Sequence, residues 1–271
     1  MQGATLTDAH LEGADLSWAH LEEAILFRAR LEKVILFGAY LTEADLRGVH
    51  LEGAYLAGAH LEKVNLAGAH LEGASLIGAH LEEANLSSAK LDETVLDNIV
   101  LSKSERFDGP VLADVNWTGC NLSVVDWSQL KMLGDQVIAS RKDNASKRRK
   151  SSTQRSQEYR QAVRANRQLS VTLQSQGLNE DAARFAYHAQ ALQKEVLWFR
   201  LIQDNISLRT RISLLGSLFF SWFMFLIAGY GYRFWRTLLT YLAVIRPALR
   251  KASRSRKVDK CGAVFAYDVS D

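Results

Sequence analysis

Histidines spaced ten residues apart are the side chains of this sequence best suited to chemistry. Six of the seven histidines follow this spacing, and a glutamate stands two positions after each of the six. Imidazole and carboxylate groups are common zinc ligands. If the chain returned to the same side every twenty residues, His50 would stack on His70, and likewise His60 on His80, with Cβ atoms about 5 Å apart. The series is interrupted at three positions, by Arg30, Tyr40 and Lys90. A metal array would not favour these interruptions, so we predict no metal site.

The rest of the sequence contains no recognisable arrangement of catalytic residues. There is no Gly-x-Ser-x-Gly nucleophile elbow, no phosphate-binding glycine loop and no Cys/His zinc spacing. The two cysteines, Cys120 and Cys261, are too few and too far apart to indicate a disulfide scaffold. We therefore predict a protein without enzymatic activity, cofactor or small-molecule substrate. Cys120 is predicted to face the core and to have a structural role.

The two halves of the chain carry opposite net charges. Residues 1–130 contain 8 Lys/Arg and 20 Asp/Glu, a net charge of −12, whereas residues 131–271 contain 25 and 10, a net charge of +15. One uniform soluble domain would not distribute its charges in this way. The sequence therefore predicts two regions of different kind.

A leucine stands at every fifth position from Leu6 to Leu101, without exception, and a small or β-branched residue stands two positions before each. On an α-helix this period would spread the leucines over every face, and on a flat strand successive leucines would point to opposite faces. All of them point inward only if the chain turns a corner after each five residues, which is the geometry of a β-solenoid. The predicted core ladder includes Leu6, Leu11, Leu16, Leu51, Leu56, Leu61, Leu96 and Leu101.

The ten-residue histidine spacing indicates the number of sides in each coil. A ten-residue period stays in register only with an even number of sides, and four sides of five residues give a coil of twenty. A lone pentapeptide gains about 1.5–3 kcal/mol by burying its leucine. It loses more on ordering its backbone and side chains, about 1.5 kcal/mol per residue. The coils must therefore stack to be stable.

Several units have the pattern A-(D/N)-L-x-x, among them Ala14-Asp15-Leu16, Ala44-Asp45-Leu46 and Ala84-Asn85-Leu86. In these residues the sequence resembles the pentapeptide-repeat family. The resemblance implies an all-β fold over residues 1–130, a right-handed quadrilateral β-helix with Leu and Ala stacked inside. After Leu101 the phase of the repeat slips by one residue. We predict a bulge there, followed by a wider, aromatic terminal coil that caps the stack.

Residues 131–158 are predicted to form a basic linker. Residues 141–168 contain ten Lys/Arg against two acidic residues, without interleaved aromatic side chains or a recognisable nucleic-acid-reading element. Attraction to anionic lipid headgroups is therefore favoured over nucleic-acid binding. From residue 159 helix-forming residues dominate, which predicts a helical pair over residues 159–211 that serves packing or dimerisation.

Residues 212–245 are predicted to meet a membrane. The stretch 212–232 is twenty-one residues long without a charge, enough to cross the hydrocarbon core, and a shorter apolar stretch follows at 237–245. Basic residues flank the first stretch on both sides, so either a single transmembrane helix or a re-entrant hairpin is expected. Residues 246–271 are predicted to be a disordered basic tail.

The end of the long apolar stretch contains the predicted turn and anchor at the bilayer edge, formed by Gly229, Tyr230, Gly231, Arg233 and Arg236. This region resembles a bacterial tail found behind pentapeptide repeats, in which some relatives carry a channel-like pore segment. The Gly-Tyr-Gly run is similar to the carbonyl filter of potassium channels, but no threonine precedes it.

The sequence thus predicts a scaffold at the cell membrane that has no catalytic activity. Its repeat domain would lie in the cytoplasm and present an acidic surface to protein partners or to further copies of the chain. Membrane lipid is the second expected partner. Two alternatives stay open at this point: a mimic of duplex DNA that inhibits a DNA-binding enzyme, because regular surface carboxylates resemble a phosphate backbone, and a subunit of a channel-like membrane assembly.

Overall fold

The computed structural model describes residues 1–102, 109–141, 150–202 and Gly216. From Thr5 to Val100, every fifth residue pairs with the residue twenty positions along the chain in a parallel bridge, as Thr5 does with Ile25 and His80 with Val100. The chain therefore winds into coils of twenty residues with four sides of five, as the sequence predicts.

Backbone hydrogen bonds join successive coils on every side. The Leu26 N–H donates to the Asp45 carbonyl of the next coil at 2.8 Å, and the Ile25 N–H donates to the Ala4 carbonyl of the preceding coil at 2.8 Å. Pairing is one residue long on each side because a corner follows at once. The predicted all-β region is therefore built, in the described residues, from isolated bridges and not from strands of several residues.

The corners are four-residue turns that begin at each leucine. The Leu6 carbonyl accepts a hydrogen bond from the Ala9 N–H at 3.1 Å, and the same bond recurs along the solenoid. The third residue of the turn has a positive φ at every fifth position from Gly3 to Asn98, as in type II turns. Nine of these residues are glycines. The others, such as Lys33 at φ 57°, adopt a conformation that costs a non-glycine residue about 1–2 kcal/mol.

The leucines and the small residues that precede them fill the inside of the solenoid. From the second coil onward their relative exposure is close to zero, and the whole set forms one continuous apolar cluster. The ladder residues of the first coil contact a neighbouring coil on one side only and are therefore half buried. Of the predicted ladder, the buried residues are Leu51, Leu56, Leu61, Leu96 and Leu101, and the half-buried ones are Leu6, Leu11 and Leu16.

The register changes once, after the fifth coil. Asn85 pairs with Val111 and Lys90 with Asn116, so the bridge separation rises from 20 to 26 residues. The predicted one-residue bulge is therefore wrong, because six extra residues are present. Five of the six equal one full repeat, so only the sixth changes the phase of the leucine pattern. Residues 103–108 lie outside the described part of the chain.

The terminal coil is aromatic, as predicted. Trp117 and Trp127 are buried, and their rings meet edge to face with centroids 6.4 Å apart. The side chains of Asn121 and Asp126 cap two short 3₁₀ turns, Leu122–Val124 and Trp127–Gln129, that replace regular sides of the coil.

Three helices follow the solenoid: α1 (Gly134–Ser140), α2 (Ser152–Ser175) and α3 (Asn179–Ile202). The predicted linker over residues 131–158 is therefore wrong in part, since it contains α1 and the first turns of α2. Helix α2 begins early because the Ser151 hydroxyl accepts the Gln154 N–H at 3.1 Å and caps it. Residues 142–149 are not among those described.

Helices α2 and α3 belong to the same apolar core as the coils. Leu169 and Leu173 of α2 and Phe185 of α3 are fully buried in the cluster that contains the leucine ladder. Phe185 meets Trp127 edge to face at 6.0 Å between centroids. The helical pair thus packs on the end of the solenoid, which is one of the two roles that the sequence predicts for it; the other role, dimerisation, stays a prediction.

Side chains terminate the hydrogen-bond ladder at this end. Four backbone N–H groups that would donate to a following coil donate instead to amide or carboxylate oxygens from later segments. The pairs are Leu101 with Gln129 Oε1 at 2.8 Å, Leu112 with Asp135 Oδ2 at 2.7 Å, Asp114 with Gln168 Oε1 at 3.0 Å, and Leu122 with Gln176 Oε1 at 2.8 Å. Burial raises the pKa of Asp135 to about 6, although hydrogen bonds from the backbone N–H groups of Leu112, Asp135 and Ala113 favour its charged form.

The predicted membrane segment 212–245, apart from Gly216, and the predicted tail 246–271 lie outside the described residues. The same is true of Gly229, Tyr230, Gly231, Arg233 and Arg236. Within the part of the chain that the structure describes, no helix combines the length and the apolar character needed to cross a membrane.

Candidate interaction faces of the solenoid

The four sides of the solenoid present different surfaces, because residues twenty apart form a column on one side. Two opposite sides carry histidine–carboxylate columns: the His10 face (residues 10, 12, 30, 32, 50, 52, 70, 72, 90 and 92) and the His20 face (residues 20, 22, 40, 42, 60, 62, 80 and 82). The apolar face contains residues 15, 17 and 18 and the residues 20, 40, 60 and 80 positions later. The Asn face contains residues 5, 7 and 8 and their counterparts at the same intervals.

The His10 face is a column of alternating charge. Arg30 contacts Glu12 of the preceding coil and Glu32 of its own coil, at 3.1 Å each. Lys90 Nζ lies 3.8 Å from Glu72 of the preceding coil. The pKa of Glu12 is below its usual value, chiefly because its own backbone N–H and then the His10 side chain bond to it. Carboxylates at the two ends of this face thus lie beside Arg30 or Lys90, whereas histidines stand between those of the central coils.

The His20 face is a stack of rings. His20, Tyr40, His60 and His80 follow one another with centroids 4.7–4.9 Å apart and ring planes within 5° of parallel. His20 Nδ1 lies 2.8 Å from Glu22 Oε1, and this hydrogen bond is the main reason for the lowered pKa of Glu22. The sequence reasoning correctly placed His60 on His80, and on the other side His50 on His70, whose centroids are 4.7 Å apart.

The apolar face carries most of the large hydrophobic side chains that the solenoid exposes. Of the eight exposed in residues 1–102, six lie on this face; they are Trp18, Ile35, Phe37, Tyr55, Ile77 and Val95. Across its three central coils (residues 33–38, 53–58 and 73–78) the only charged residue is Lys33. Such a continuous uncharged, aromatic patch is typical of a protein-binding surface.

Glycines shape this patch. Gly38, Gly58 and Gly78 occupy the corner position of three successive coils, each with a positive φ. The Trp18 ring lies over Gly38, where an added Cβ would come within 2.5 Å of it, and meets Phe37 edge to face at 5.2 Å. The Trp18 ring therefore lies against backbone that cannot rearrange without breaking inter-coil hydrogen bonds.

The Asn face differs although its sequence positions are equivalent. Phe27 occupies the position of Phe37, but the Arg47 guanidinium lies 5.4 Å from its ring centroid. Asn85 Nδ2 donates to Asn65 Oδ1 of the preceding coil at 3.1 Å. Polar groups thus cover or replace the apolar ones on this side. The Asn face therefore provides control positions that are equivalent in the repeat to those of the apolar face.

Among the described residues, the cysteine and the histidine that lie outside these faces are unsuited to catalysis. Cys120 is buried, its Sγ donates to the Leu91 carbonyl at 2.6 Å, and burial raises the pKa of the thiol to about 11. His188 of α3 packs against Phe185, and burial lowers its pKa. A thiol in this state is not a nucleophile at neutral pH.

A protein-family model described as Pentapeptide repeats matches residues 1–38, 35–71 and 65–102 in eight copies. A pentapeptide repeat protein of the Arabidopsis thaliana thylakoid lumen is 32% identical, and the match covers 35% of this chain and 67% of that one with a TM-score of 0.35. The chain belongs to the pentapeptide-repeat family. Pentapeptide-repeat proteins are generally scaffolds without catalytic activity, and the comparisons indicate no enzyme family.

Two cyanobacterial pentapeptide-repeat proteins are also similar. Rfr23 of Cyanothece 51142 is 37% identical over 38% of this chain, with a TM-score of 0.33, and the match spans 63% of its length. HetL of Nostoc sp. strain PCC 7120, which is involved in the regulation of heterocyst differentiation, is 34% identical over 44% of this chain, with a TM-score of 0.30 and 60% of its own length covered. No curated protein matches the chain.

Sequence reasoning missed the apolar face of this pentapeptide-repeat solenoid, although the signal was present. The twenty-residue period applied to the histidines also brings Ile35, Tyr55 and Val95 into one column, with Phe37 and Ile77 in the next. The predicted acidic surface is present, but its carboxylates on the His10 face lie beside basic side chains.

Proposed function

We propose that this pentapeptide-repeat protein is a membrane-tethered scaffold that binds a protein partner through the apolar face. The observation that carries this proposal is the concentration of exposed aromatic and aliphatic side chains on one side of the solenoid. The partner's complementary surface would be apolar as well, because Lys33 is the only charged residue in the three stretches 33–38, 53–58 and 73–78 of this side. The acidic His10 and His20 faces would flank the contact as a polar rim.

The apolar face has the features that make a binding surface strong. Trp18, Phe37 and Tyr55 are between 48 and 59% exposed, so that a partner would remove much apolar area from water. Aromatic side chains of this kind dominate the binding energy of protein interfaces. Because inter-coil hydrogen bonds fix the backbone below them, little conformational entropy would be lost on binding.

The tether is the second part of the proposal and rests on the sequence. Residues 212–232 are long enough and apolar enough to span a bilayer, and the region from residue 131 onward carries a net charge of +15 that would attract anionic lipid headgroups. The repeat domain would then lie at the cytoplasmic side of the cell membrane. Fractionation tests it: we expect the full chain to stay with membranes after washes in high salt and to be released by detergent. Release by salt alone would contradict the tether.

Site-specific photocrosslinking in living cells tests the protein-binding face. A photoreactive phenylalanine analogue placed at Tyr55 should give one or a few discrete crosslinked products. The matched control is the same analogue at Asn65, which occupies the equivalent position on the Asn face, and should give none. Equal labelling at both positions would contradict the proposal, and a product of twice the chain's mass would identify the occupant as a second copy.

The acidic columns give no specific support to the alternative of DNA mimicry. A phosphate backbone is a row of like charges, whereas Arg30 and Lys90 lie between carboxylates on the His10 face. The alternative of a channel-like subunit depends on Gly229, Tyr230 and Gly231, outside the described residues. Both stay predictions.

A further inference from the structure

The centre of the His10 face brings together three side chains that are chemically suited to bind a metal ion. His50 Nδ1 lies 3.0 Å from Glu52 Oε1, and His70 Nδ1 of the next coil lies 3.6 Å from the same oxygen. One ligand atom from each of the three residues lies within 4.8 Å of the other two. All three side chains are partly exposed, so that an ion in solution can reach them.

These separations fit a tetrahedral ion. Zinc binds imidazole nitrogen and carboxylate oxygen at about 2.0–2.2 Å, so two ligands of one tetrahedral zinc are about 3.3–3.5 Å apart. The two distances to Glu52 Oε1 lie close to this range, and small changes in side-chain torsions suffice to reach it. Glu72 Oε1 is 3.6 Å from His70 Nδ1 but lies outside the mutual 4.8 Å cluster of the three ligand atoms, so the Glu72 side chain must rotate to become a fourth ligand.

The carboxylates of this column are incompletely satisfied. Glu52 Oε2 and Glu72 Oε2 are buried oxygens without a hydrogen-bond partner in the described structure. With neutral imidazoles, the four glutamates of the column (residues 12, 32, 52 and 72) face only two permanent positive charges, those of Arg30 and Lys90. One divalent cation bound beside these carboxylates would balance this excess of negative charge.

The surrounding sequence restricts the site to this one pair of coils. In this column Arg30 stands directly before His50, and Lys90 directly after His70. The sequence prediction of no metal was based in part on these two interruptions of the histidine series. They limit the site to one pair of coils but leave its two histidines in place. A second cluster, Glu62, His80 and Glu82 on the His20 face, offers a single imidazole. Two imidazoles and a carboxylate form the donor set that zinc and its first-row neighbours prefer.

We propose that His50, Glu52 and His70 bind one first-row divalent cation, zinc by ligand type, with Glu72 as a fourth ligand. The ion would join two successive coils of the solenoid on the side next to the apolar face. Metal binding here is independent of the proposed scaffold function, since it needs neither the membrane segment nor the apolar residues.

Isothermal titration calorimetry with Zn²⁺ tests the proposal on the full chain, purified without a polyhistidine tag and stripped with a chelator. We expect one equivalent to bind, and Co²⁺ to give the intense visible absorption of a tetrahedral site. His50→Gln and His70→Gln should each weaken binding at least about tenfold, and Glu52→Gln should also weaken it. Circular dichroism would verify that each variant keeps its fold.

Two controls give the experiment its specificity. His10→Gln removes a histidine of the same face that pairs with Arg30 and not with a second histidine. The double variant His60→Gln/His80→Gln removes the histidine pair on the His20 face. Both should bind Zn²⁺ as the unmodified chain does. Absence of binding by the unmodified chain, unchanged affinity in His50→Gln/His70→Gln, or loss of binding only in His60→Gln/His80→Gln would overturn the proposal.

Discussion

The regular coils and the capped end of this protein solve the same problem of backbone hydrogen bonding in different ways. In the coils, the N–H groups that join successive coils donate to backbone carbonyls of the following or the preceding coil, so any residue type can supply the acceptor. At the capped end, Gln129, Asp135, Gln168 and Gln176 supply the acceptors through their side chains. The coils therefore depend on a period and the cap depends on individual residues.

The difference also concerns how easily each region can adjust. Coils are held at a fixed spacing by hydrogen bonds on four sides, whereas α2 and α3 contact the last coil through side chains such as Leu173 and Phe185. A defect in the coils should therefore persist, and a defect in the cap should be partly filled by movement of the helices.

The largest expected effect is a cavity in the coils. Leu56→Ala should lower the free energy of unfolding by about 4 kcal/mol, because the neighbouring coils cannot move together to fill the space. Leu173→Ala is the matched control in the cap, since Leu173 is equally buried, and should cost about 2–3 kcal/mol. Urea denaturation of both variants measures the difference. Equal losses would show that the cap is as rigid as the coils.

The buried carboxyl group of Asp135 should make the cap less stable as the pH rises, whereas carboxylates of the coils should have the opposite effect. Burial raises the pKa of Asp135 from 3.8 to about 6. Between these two pH values the folded chain therefore keeps a proton on Asp135 that the unfolded chain has released. This term is at its most favourable below about pH 4 and is lost as the pH rises to about 6. In the coils, by contrast, hydrogen bonding to Arg47 lowers the pKa of Asp45.

Asp135→Asn isolates this effect, because the amide oxygen can still accept the Leu112 N–H. Unfolding of the variant and the unmodified chain should be compared from pH 4 to pH 7. We expect the stability of the variant, relative to the unmodified chain, to rise by about 2–3 kcal/mol over this interval. A difference independent of pH would mean that Asp135 keeps its usual pKa.

A smaller effect is expected from the side-chain acceptors. Gln176 accepts the Leu122 N–H at 2.8 Å and donates to the Cys120 carbonyl at 2.7 Å, as a bridge residue of a following coil would. Gln176→Ala should cost about 1–2 kcal/mol. Gln174→Ala, an exposed residue of the same helix, should be close to neutral in the same thermal or urea denaturation. A neutral Gln176→Ala would show that water replaces the amide without loss.

The smallest expected difference concerns the corners. Gly58 in the coils and Gly177 between α2 and α3 both have a positive φ, and at both an added Cβ would have no neighbour within 4 Å. Alanine at either position should therefore cost about 1 kcal/mol through backbone conformation alone. Equal losses in calorimetric melting would show that this cost is local. A larger loss at Gly58 would indicate that repetition of the corner amplifies it.

The extent of successful prediction follows the same division. The leucine period was sufficient to predict the inward leucine ladder. Together with the ten-residue histidine spacing it predicted coils of four sides and the stacking of His50 on His70, because each depends only on a regular spacing. The sequence did not predict the start of α2 at Ser152. The many lysines and arginines before it indicated a linker, and the capping serine, Ser151, was not recognised among them. The length of the insertion after Leu101 was underestimated, because an insertion of six residues changes the phase of a five-residue repeat by the same amount as an insertion of one.

The sequence by itself determined that the chain must wind, where its core lies and which side chains share a column, since a strict repeat leaves one geometry in which every leucine is buried. Only the tertiary structure decided that Asp135, Gln168 and Gln176 would meet N–H groups more than twenty residues earlier in the chain. The physical reason is that these contacts follow no period: they form where the helices happen to cover the last coil, and their partners are set by packing.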